Sequence, residues 1–294
     1  MIEIKNLVKR YNDFTAVDDV SIKVGEGTIH GIIGENGSGK TTIIKCLTGI
    51  YKPDSGEVLV DGEPVFENPS IKSRIGYVAD SNQYFTSYRI SDLKKFYKDV
   101  YGRFDDDKFE YYNKIFRVPE KKRISQMSKG QQMRTAFMLN MAINPDVLVL
   151  DEPTSGLDVI AKKELLDAIV KEVEERGLTV FISSHHLSEL EKICDTVSVI
   201  RNGNIQFDDD VYEVKHKIRK FQMVLPEGMN EGIENISGIL NISNIGKMFT
   251  IVADSSEPDI IRKLGANGAE YIEEIEVSLE EMFIYSQGKG VNND

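Results

Sequence analysis

The chain has 294 residues, 40% of them hydrophobic, which suffices for one large domain or for an ordinary domain with a smaller companion. Its net charge is −12, and residues 208–294 carry 17 acidic against 8 basic side chains, a net of −9 that leaves −3 on the first 207. That balance argues against wrapping nucleic acid, whose phosphates need patches of Lys and Arg, and against a polybasic membrane anchor.

Residues 2–8 alternate weakly and read as a strand, followed by β-branched runs at 20–24 and 28–33 punctuated by Gly25 and Gly27. After a glycine-rich turn, Thr41-Thr-Ile-Ile-Lys-Cys-Leu47 has a helical pattern that stops at Gly49. Strands are expected at 57–60 and 75–79, and from about 81 to 144 the periodicity is helical. Residues 147–150 are all apolar, as in a strand buried on both faces. A helix at 161–175, a strand at 179–183, a helix at 187–194 and a strand at 196–200 complete the alternation. The expected class is α/β, a mainly parallel sheet with a helical insertion. Near residue 207 the pattern changes: Gly203 and the acid run Asp208-Asp209-Asp210 end it, and 215–220 reads as a basic linker. Strands at 221–225, 238–245 and 248–252 with a helix near 258–264 then form a small α+β appendage. The expected division is 1–207, a linker at 208–218, and an accessory domain at 219–294.

Cys46 and Cys194 stand apart from any CxxC pair, and His30, His185, His186 and His216 lack metal-ligand spacing. Buried free thiols in a reducing cytosol are expected, with neither a disulfide framework nor a zinc site. No apolar stretch approaches the roughly 18 residues of a spanning helix, and the N-terminus Met1-Ile-Glu-Ile-Lys5 does not read as a signal peptide. The chain is therefore expected to be soluble and cytoplasmic, any membrane role requiring partners.

Gly34-Glu-Asn-Gly-Ser-Gly-Lys40-Thr41 fits G-x-x-x-x-G-K-[ST], after a β-branched strand and at the opening of a helix. In that context the glycines turn successive N–H groups inward to cradle phosphates, and the helix N-terminus adds positive potential. Gly34, Asn36, Gly37, Ser38, Gly39, Lys40, Thr41 and Thr42 are the expected nucleotide contacts, with Lys40 reaching the terminal phosphates and the Thr41 hydroxyl placed to ligate Mg²⁺. A turn that binds nothing is the rival, and the flanking strand and helix speak against it. Val147-Leu-Val-Leu-Asp151-Glu152 delivers two carboxylates at a strand's C-terminal end, where open α/β sheets place ligands. Asp151 would hold Mg²⁺ through water, and Glu152 would orient and deprotonate the attacking water.

Three more motifs follow in order: Gln126-Met-Ser128-Lys-Gly130-Gln131-Gln132, Ser155-Gly-Leu-Asp158, and Ser183-Ser-His185. In this order and spacing, residues 1–207 resemble the ATP-binding subunits of ABC transporters. The resemblance implies a P-loop ATPase whose mainly parallel sheet is joined by an antiparallel β portion and a helical insertion. It implies that Ser128, Gly130 and Gln131 complete the ATP site of the opposite subunit in a head-to-tail dimer, a helix N-terminus with a hydroxyl being an anion site one subunit alone leaves unused. It also places Asp158 at the dimer interface, His185 on the γ-phosphate and Tyr11 against adenine. Two positions depart from the family: Lys129 replaces a usual Gly, and Asp80 stands where Gln is usual, with Gln83 three residues on. Asp80 is expected to contact Mg²⁺, directly or through water.

What the resemblance implies about function is hydrolysis of ATP with Mg²⁺, without a covalent protein intermediate. Two ATPase subunits, alike or different, would close on ATP, and transmembrane permease subunits would dock on residues 81–144. The appendage and the ending Ser278-Leu-Glu-Glu-Met-Phe-Ile-Tyr-Ser286 resemble exporter-type subunits of the antimicrobial-peptide and bacteriocin resistance class. Export of a peptide or amphipathic compound, from the inner face of the cell membrane, is the expectation. A soluble ABC ATPase acting on ribosomes or DNA is the alternative; a single module, no heptad insertion and the acidic balance count against it.

Overall fold

The chain opens on a hairpin of β1 (Ile2–Tyr11) and β2 (Phe14–Val24), whose inward residues Ile2, Ile4, Leu7, Val17, Val20, Ile22 and Val24 are buried. The register slips between Ile4 and Leu7, where Asn6 takes a left-handed φ of 46°, and the bulge bends the hairpin. The computed structural model describes residues 1–81, 87–225, 233–257, 259–266, 268–269 and 271–282. It divides into two compact units, Met1–Asp208 and Asp209–Asp294.

In the first unit, α1 (Lys40–Leu47) follows β3 (Ile29–Ile33), and β4 (Ser55–Val60) and β5 (Glu63–Pro64) join the hairpin in an antiparallel sheet of order β2-β1-β4-β5. The short α2 (Pro69–Lys72) leads to β6 (Ile75–Val78). The helical portion comprises α3 (Ile90–Val100), α4 (Asp106–Phe116) and α5 (Lys129–Ala142), whose aromatic core sets Phe137 edge-on to Tyr112 and Phe116 at 5.6 and 5.7 Å. After it come β7 (Val147–Asp151), α6 (Val159–Arg176), β8 (Thr179–Ser184), α7 (Leu187–Leu190), β9 (Thr196–Arg201) and β10 (Asn204–Asp210). The larger sheet has the order β10-β9-β3-β8-β7-β6, and β9, β3, β8, β7 and β6 run parallel. Helices on its faces leave β3, β7 and β8 wholly buried, hence their unbroken apolar runs.

Register fixes where chemistry emerges. Ile33 pairs with Ser184 and Asp151 with Ser183, so the segments after β3, β8 and β7 leave the sheet at one level. That level lies beyond the carboxyl ends of parallel strands, the ligand side of such sheets.

Glu172 of α6 shows how the helical portion is tied to the sheet's helices. Buried at 8% exposure, it accepts from Lys108 Nζ at 2.7 Å, from Tyr112 Oη at 2.5 Å, and from Arg176. Burial pushes its carboxyl up, but those three hydrogen bonds outweigh burial and hold it below the usual value of 4.5. The stabilisation is thus present above the unfolded value and fades as pH falls through the lower folded one. Burial draws Lys108 below the ordinary lysine value, against the pull of Glu172. Glu172→Ala is expected to cost about 3 kcal/mol in urea unfolding at pH 7, because two cations and a phenol lose their acceptor, and less at pH 3. An equal loss at both pH values would contradict the assignment.

The second unit contains α8 (Val211–Lys215), β11 (Ile218–Val224), β12 (Ile239–Ile245), β13 (Met248–Asp254), α9 (Ile260–Ala266) and β14 (Tyr271–Ile275). Its sheet has the order β12-β13-β11-β14 and is antiparallel, with Phe221, Met223, Ile251, Ala253, Ile260 and Leu264 in its core.

Several sequence expectations are corrected here. The acid run Asp208-Asp209-Asp210 closes a strand not foreseen there, β10, reached through a turn at Gly203 with φ 80°, and the first unit ends within that run at Asp208. β10 is an edge strand, where charges are tolerated. Residues 208–218 hold the end of β10, a short helix over Val211–Lys215 and the first residue of the next strand. The helix expected at 187–194 is one short turn, Leu187–Leu190. β14 was unforeseen: Tyr-Ile-Glu-Glu-Ile is acidic, but Arg219 of β11 takes Glu274 with two bonds of 2.8 and 2.6 Å. Gln83 and residues 283–286 of the expected ending lie outside the described residues. Cys46 and Cys194 are buried and free, their thiols pushed up by burial. No helix among the described residues is long and apolar enough to cross a membrane.

Candidate nucleotide site

The loop between β3 and α1 can be built only with glycine at two of its positions. A Cβ on Gly34 would come within 2.4 Å of the Ile200 carbonyl oxygen, and one on Gly39 within 2.7 Å of the Ala16 carbonyl oxygen. Gly39 also has φ 115°, open to glycine alone. The helix begins there with no side-chain cap and no acid in its first turn, leaving its N–H groups to an anion.

Lys40 is 5% exposed and donates to the carbonyl oxygens of Gly34 at 2.6 Å and Glu35 at 3.1 Å. Its Nζ stands 3.4 Å from Glu152 Oε1. That contact is electrostatic without hydrogen-bond alignment, since Glu152 Oε1 and Ser38 Oγ are both buried without a hydrogen-bond partner. Buried polar atoms in this condition are costly unless something else satisfies them. Tyr11, Phe14, Asn36, Gly37, Thr41, Thr42, Asp80 and Glu152 line the same cleft of about 290 Å³ with the loop. Tyr11 and Phe14 face one another across the β1–β2 turn, 40% and 62% exposed. Phe14 is a second aromatic wall that the sequence reading passed over.

Asp151 ends β7 at 2% exposure and accepts from Ser183 Oγ at 2.7 Å. Burial raises its carboxyl, hydrogen bonds from Ser183 and Thr41 oppose this, and the charges of Glu152 and Asp80 add to it. A carboxylate so placed gains from a cation. Among the described residues no three His, Cys, Asp or Glu side chains form a metal cage.

Glu152 adopts φ 49°, a left-handed backbone that costs about 1 kcal/mol or more in a non-glycine residue and is held by its N–H on Ser183 Oγ at 3.0 Å. The Ser183 hydroxyl thus fixes both carboxylate positions, which the sequence reading did not foresee. Only the register of β7 against β8 reveals it. His185 Nδ1 lies 2.7 Å from Glu152 Oε2, and its ring rests on His186 at 3.9 Å. The chain thus aligns Lys40, Glu152 and His185 in one row, with His185 on Glu152.

The remaining positions lie elsewhere. Ser128 caps α5, its Oγ accepting from Gln131 N–H at 3.2 Å while Gln131 Oε1 takes Ser128 N–H at 3.3 Å. Gly130 faces the loop after β7, where a Cβ would meet Leu157 at 3.1 Å. Asp158 caps α6 by accepting from Ala161 N–H at 2.9 Å. None of these four lines the cleft. Asp80 does, and its Oδ1 accepts from Lys129 Nζ at 2.8 Å.

Residues 17–155 match the family described as ABC transporter. The sequence is 30% identical over 291 residues, 98% of this chain and 98% of the relative, to the ABC transporter ATP-binding protein YtrB of Bacillus subtilis (strain 168). It is 33% identical over 224 residues to the bacitracin transport ATP-binding protein BcrA of Bacillus licheniformis, covering 75% of this chain and 73% of that one. A solved dimer of the ATP-binding cassette MJ0796, in a post-hydrolysis state with ADP and Pi, shares the fold with a TM-score of 0.66 at 23% identity, covering 72% of this chain and 99% of that one. A kinship that runs from end to end, beyond the phosphate loop alone, places the chain in the ABC transporter family as one of its ATP-binding, ATP-hydrolysing subunits.

Proposed function

We propose that the chain drives export of a peptide or amphipathic compound, as one of two ATPase subunits set head to tail beneath separate membrane permeases. What carries the reading is its 33% identity to a bacitracin transport ATP-binding protein, joined to the row of Lys40, Glu152 and His185. The loop from Gly34 to Thr41 cradles the phosphates, and Tyr11 with Phe14 offers faces to the adenine. Mg²⁺, held by Thr41 and by Asp151 through water, would neutralise phosphate charge. Glu152 takes the proton of the attacking water, and His185, donating from Nδ1 to the ionised carboxylate, fixes its direction. Ser128, Gly130, Gln131 and Asp158, away from this chain's own cleft, belong to the partner's site. A second cleft of about 360 Å³, lined by Tyr97 of α3, Tyr101 just after it, Tyr77 and Ile50, suits an inserted element of a permease at the inner membrane face.

A strain lacking the chain should become more sensitive to amphipathic peptide antibiotics, and the wild-type chain, but not Glu152→Gln, should restore resistance. In detergent the chain should co-purify with polytopic membrane proteins. Unchanged sensitivity together with co-purification of ribosomes would replace this reading with that of a soluble translation-linked ATPase.

A further inference from the structure

Glu35, Asp80 and Glu152 line the phosphate cleft, with the charge of Asp151 close to the latter two, and among its described lining residues the only basic side chain is Lys40. A polyphosphate entering such a site meets like charge, and Asp80 leaves 45% of its side chain exposed there. Lys129, the first residue of α5, answers it. Its Nζ lies 2.8 Å from Asp80 Oδ1 and 3.1 Å from Ser155 Oγ, and its methylene stem covers Gly156, where a Cβ would stand 3.2 Å from Lys129 Cδ. One side chain so joins the segment after β6, the start of α5 and the loop after β7. Asp80 and Lys129 are also the two positions where the sequence departs from the family pattern, and they are in contact.

We propose that Lys129 is a positioning residue for ATP binding: it neutralises Asp80 and turns that carboxylate away from the phosphates, so that the two departures operate as a compensating pair. An incidental surface ion pair would sit anywhere on the molecule. This one stands at the mouth of the cleft and is anchored at a third point on Ser155. The inference rests on the assignment of this cleft to ATP phosphates, which Lys40→Ala tests separately.

The test is a double-mutant cycle read by equilibrium binding of a fluorescent ATP analogue, with EDTA and with Mg²⁺, at low and high salt. Thermal melting checks that each variant is folded. Lys129→Gln should weaken binding about threefold to fivefold with or without metal, since it leaves Asp80 unneutralised beside the phosphates. Lys129→Arg should bind like the wild type. Asp80→Asn combined with Lys129→Gln should return affinity to within about twofold of the wild type, and high salt should shrink the Lys129→Gln defect, because an exposed pair is screened. A double variant as weak as Lys129→Gln would overturn the proposal, as would wild-type binding by Lys129→Gln. A loss in Asp80→Asn confined to the Mg²⁺ arm would also overturn it, by showing that Asp80 serves the metal. If Lys40→Ala leaves binding intact, the cleft assignment itself fails, and that outcome is distinct from all of these.

Discussion

Glu152→Gln is expected to lower ATP turnover by about 10³-fold while leaving the affinity for ATP near that of the wild type. The amide keeps the shape of the side chain and its place 3.4 Å from Lys40, but it cannot accept a proton from water. Neither the cradle nor Asp151 is touched: the Glu152 N–H on Ser183 Oγ is a backbone contact and survives the substitution. His185 would then face an amide in place of a carboxylate acceptor, losing a charge-assisted bond at an exposed position. With the nucleotide bound and unspent, the variant should gather as an ATP-dependent dimer on size exclusion. Single-turnover hydrolysis within tenfold of the wild type would remove Glu152 from the role of base. The left-handed φ of 49° at this residue adds a second reading of the same experiment. Because the strain belongs to the backbone, Gln inherits it, so thermal stability should hardly change while turnover collapses.

The phosphate loop was legible because its chemistry is local. The spacing from Gly34 to Thr41 states the cradle, and the close approaches at Gly34 and Gly39 show why no other residue fits. Asp151 and Glu152 were legible for a similar reason, as an apolar strand ending in two acids can hardly be core. What escaped was set by pairing across distance. Ser183 supports Asp151 and Glu152 from 32 and 31 residues away, through a register that alternation on a single strand does not encode. Asp80 and Lys129 are 49 residues apart, and each alone reads as a departure from the family: an acid in place of Gln, and Lys in place of Gly. β10 and β14 were hidden by acids, which are poor strand formers until an edge position or a facing Arg219 accommodates them.

Lys40→Ala should strike earlier in the cycle than Glu152→Gln and abolish binding rather than turnover. The ammonium is 5% exposed, satisfied by two carbonyl oxygens and placed beside the orphaned Glu152 Oε1. Its removal takes from the cleft the one basic side chain among its described lining residues, which include Glu35, Asp80 and Glu152, and leaves Glu152 with His185 alone. Calorimetric titration should show ATP affinity reduced by about 100-fold or more, on the scale of a lost charge-assisted contact to phosphate in a partly dry site. Ser128→Arg should behave in the opposite way. Ser128 lies outside the cleft of its own chain, so each subunit should still bind ATP, less a capping loss of about 1 kcal/mol in α5. Hydrolysis should nonetheless fail, because the bulky cation would occupy the place of the partner's γ-phosphate. Mixed in equal amounts, Lys40→Ala and Ser128→Arg subunits would form heterodimers with one site built from two intact halves. Some turnover should return in the mixture, in proportion to the heterodimer fraction, wherever a single site suffices. Ser128→Arg alone decides the shared-site arrangement: if it hydrolyses ATP at the wild-type rate, the helix start at Ser128 caps α5 and nothing more.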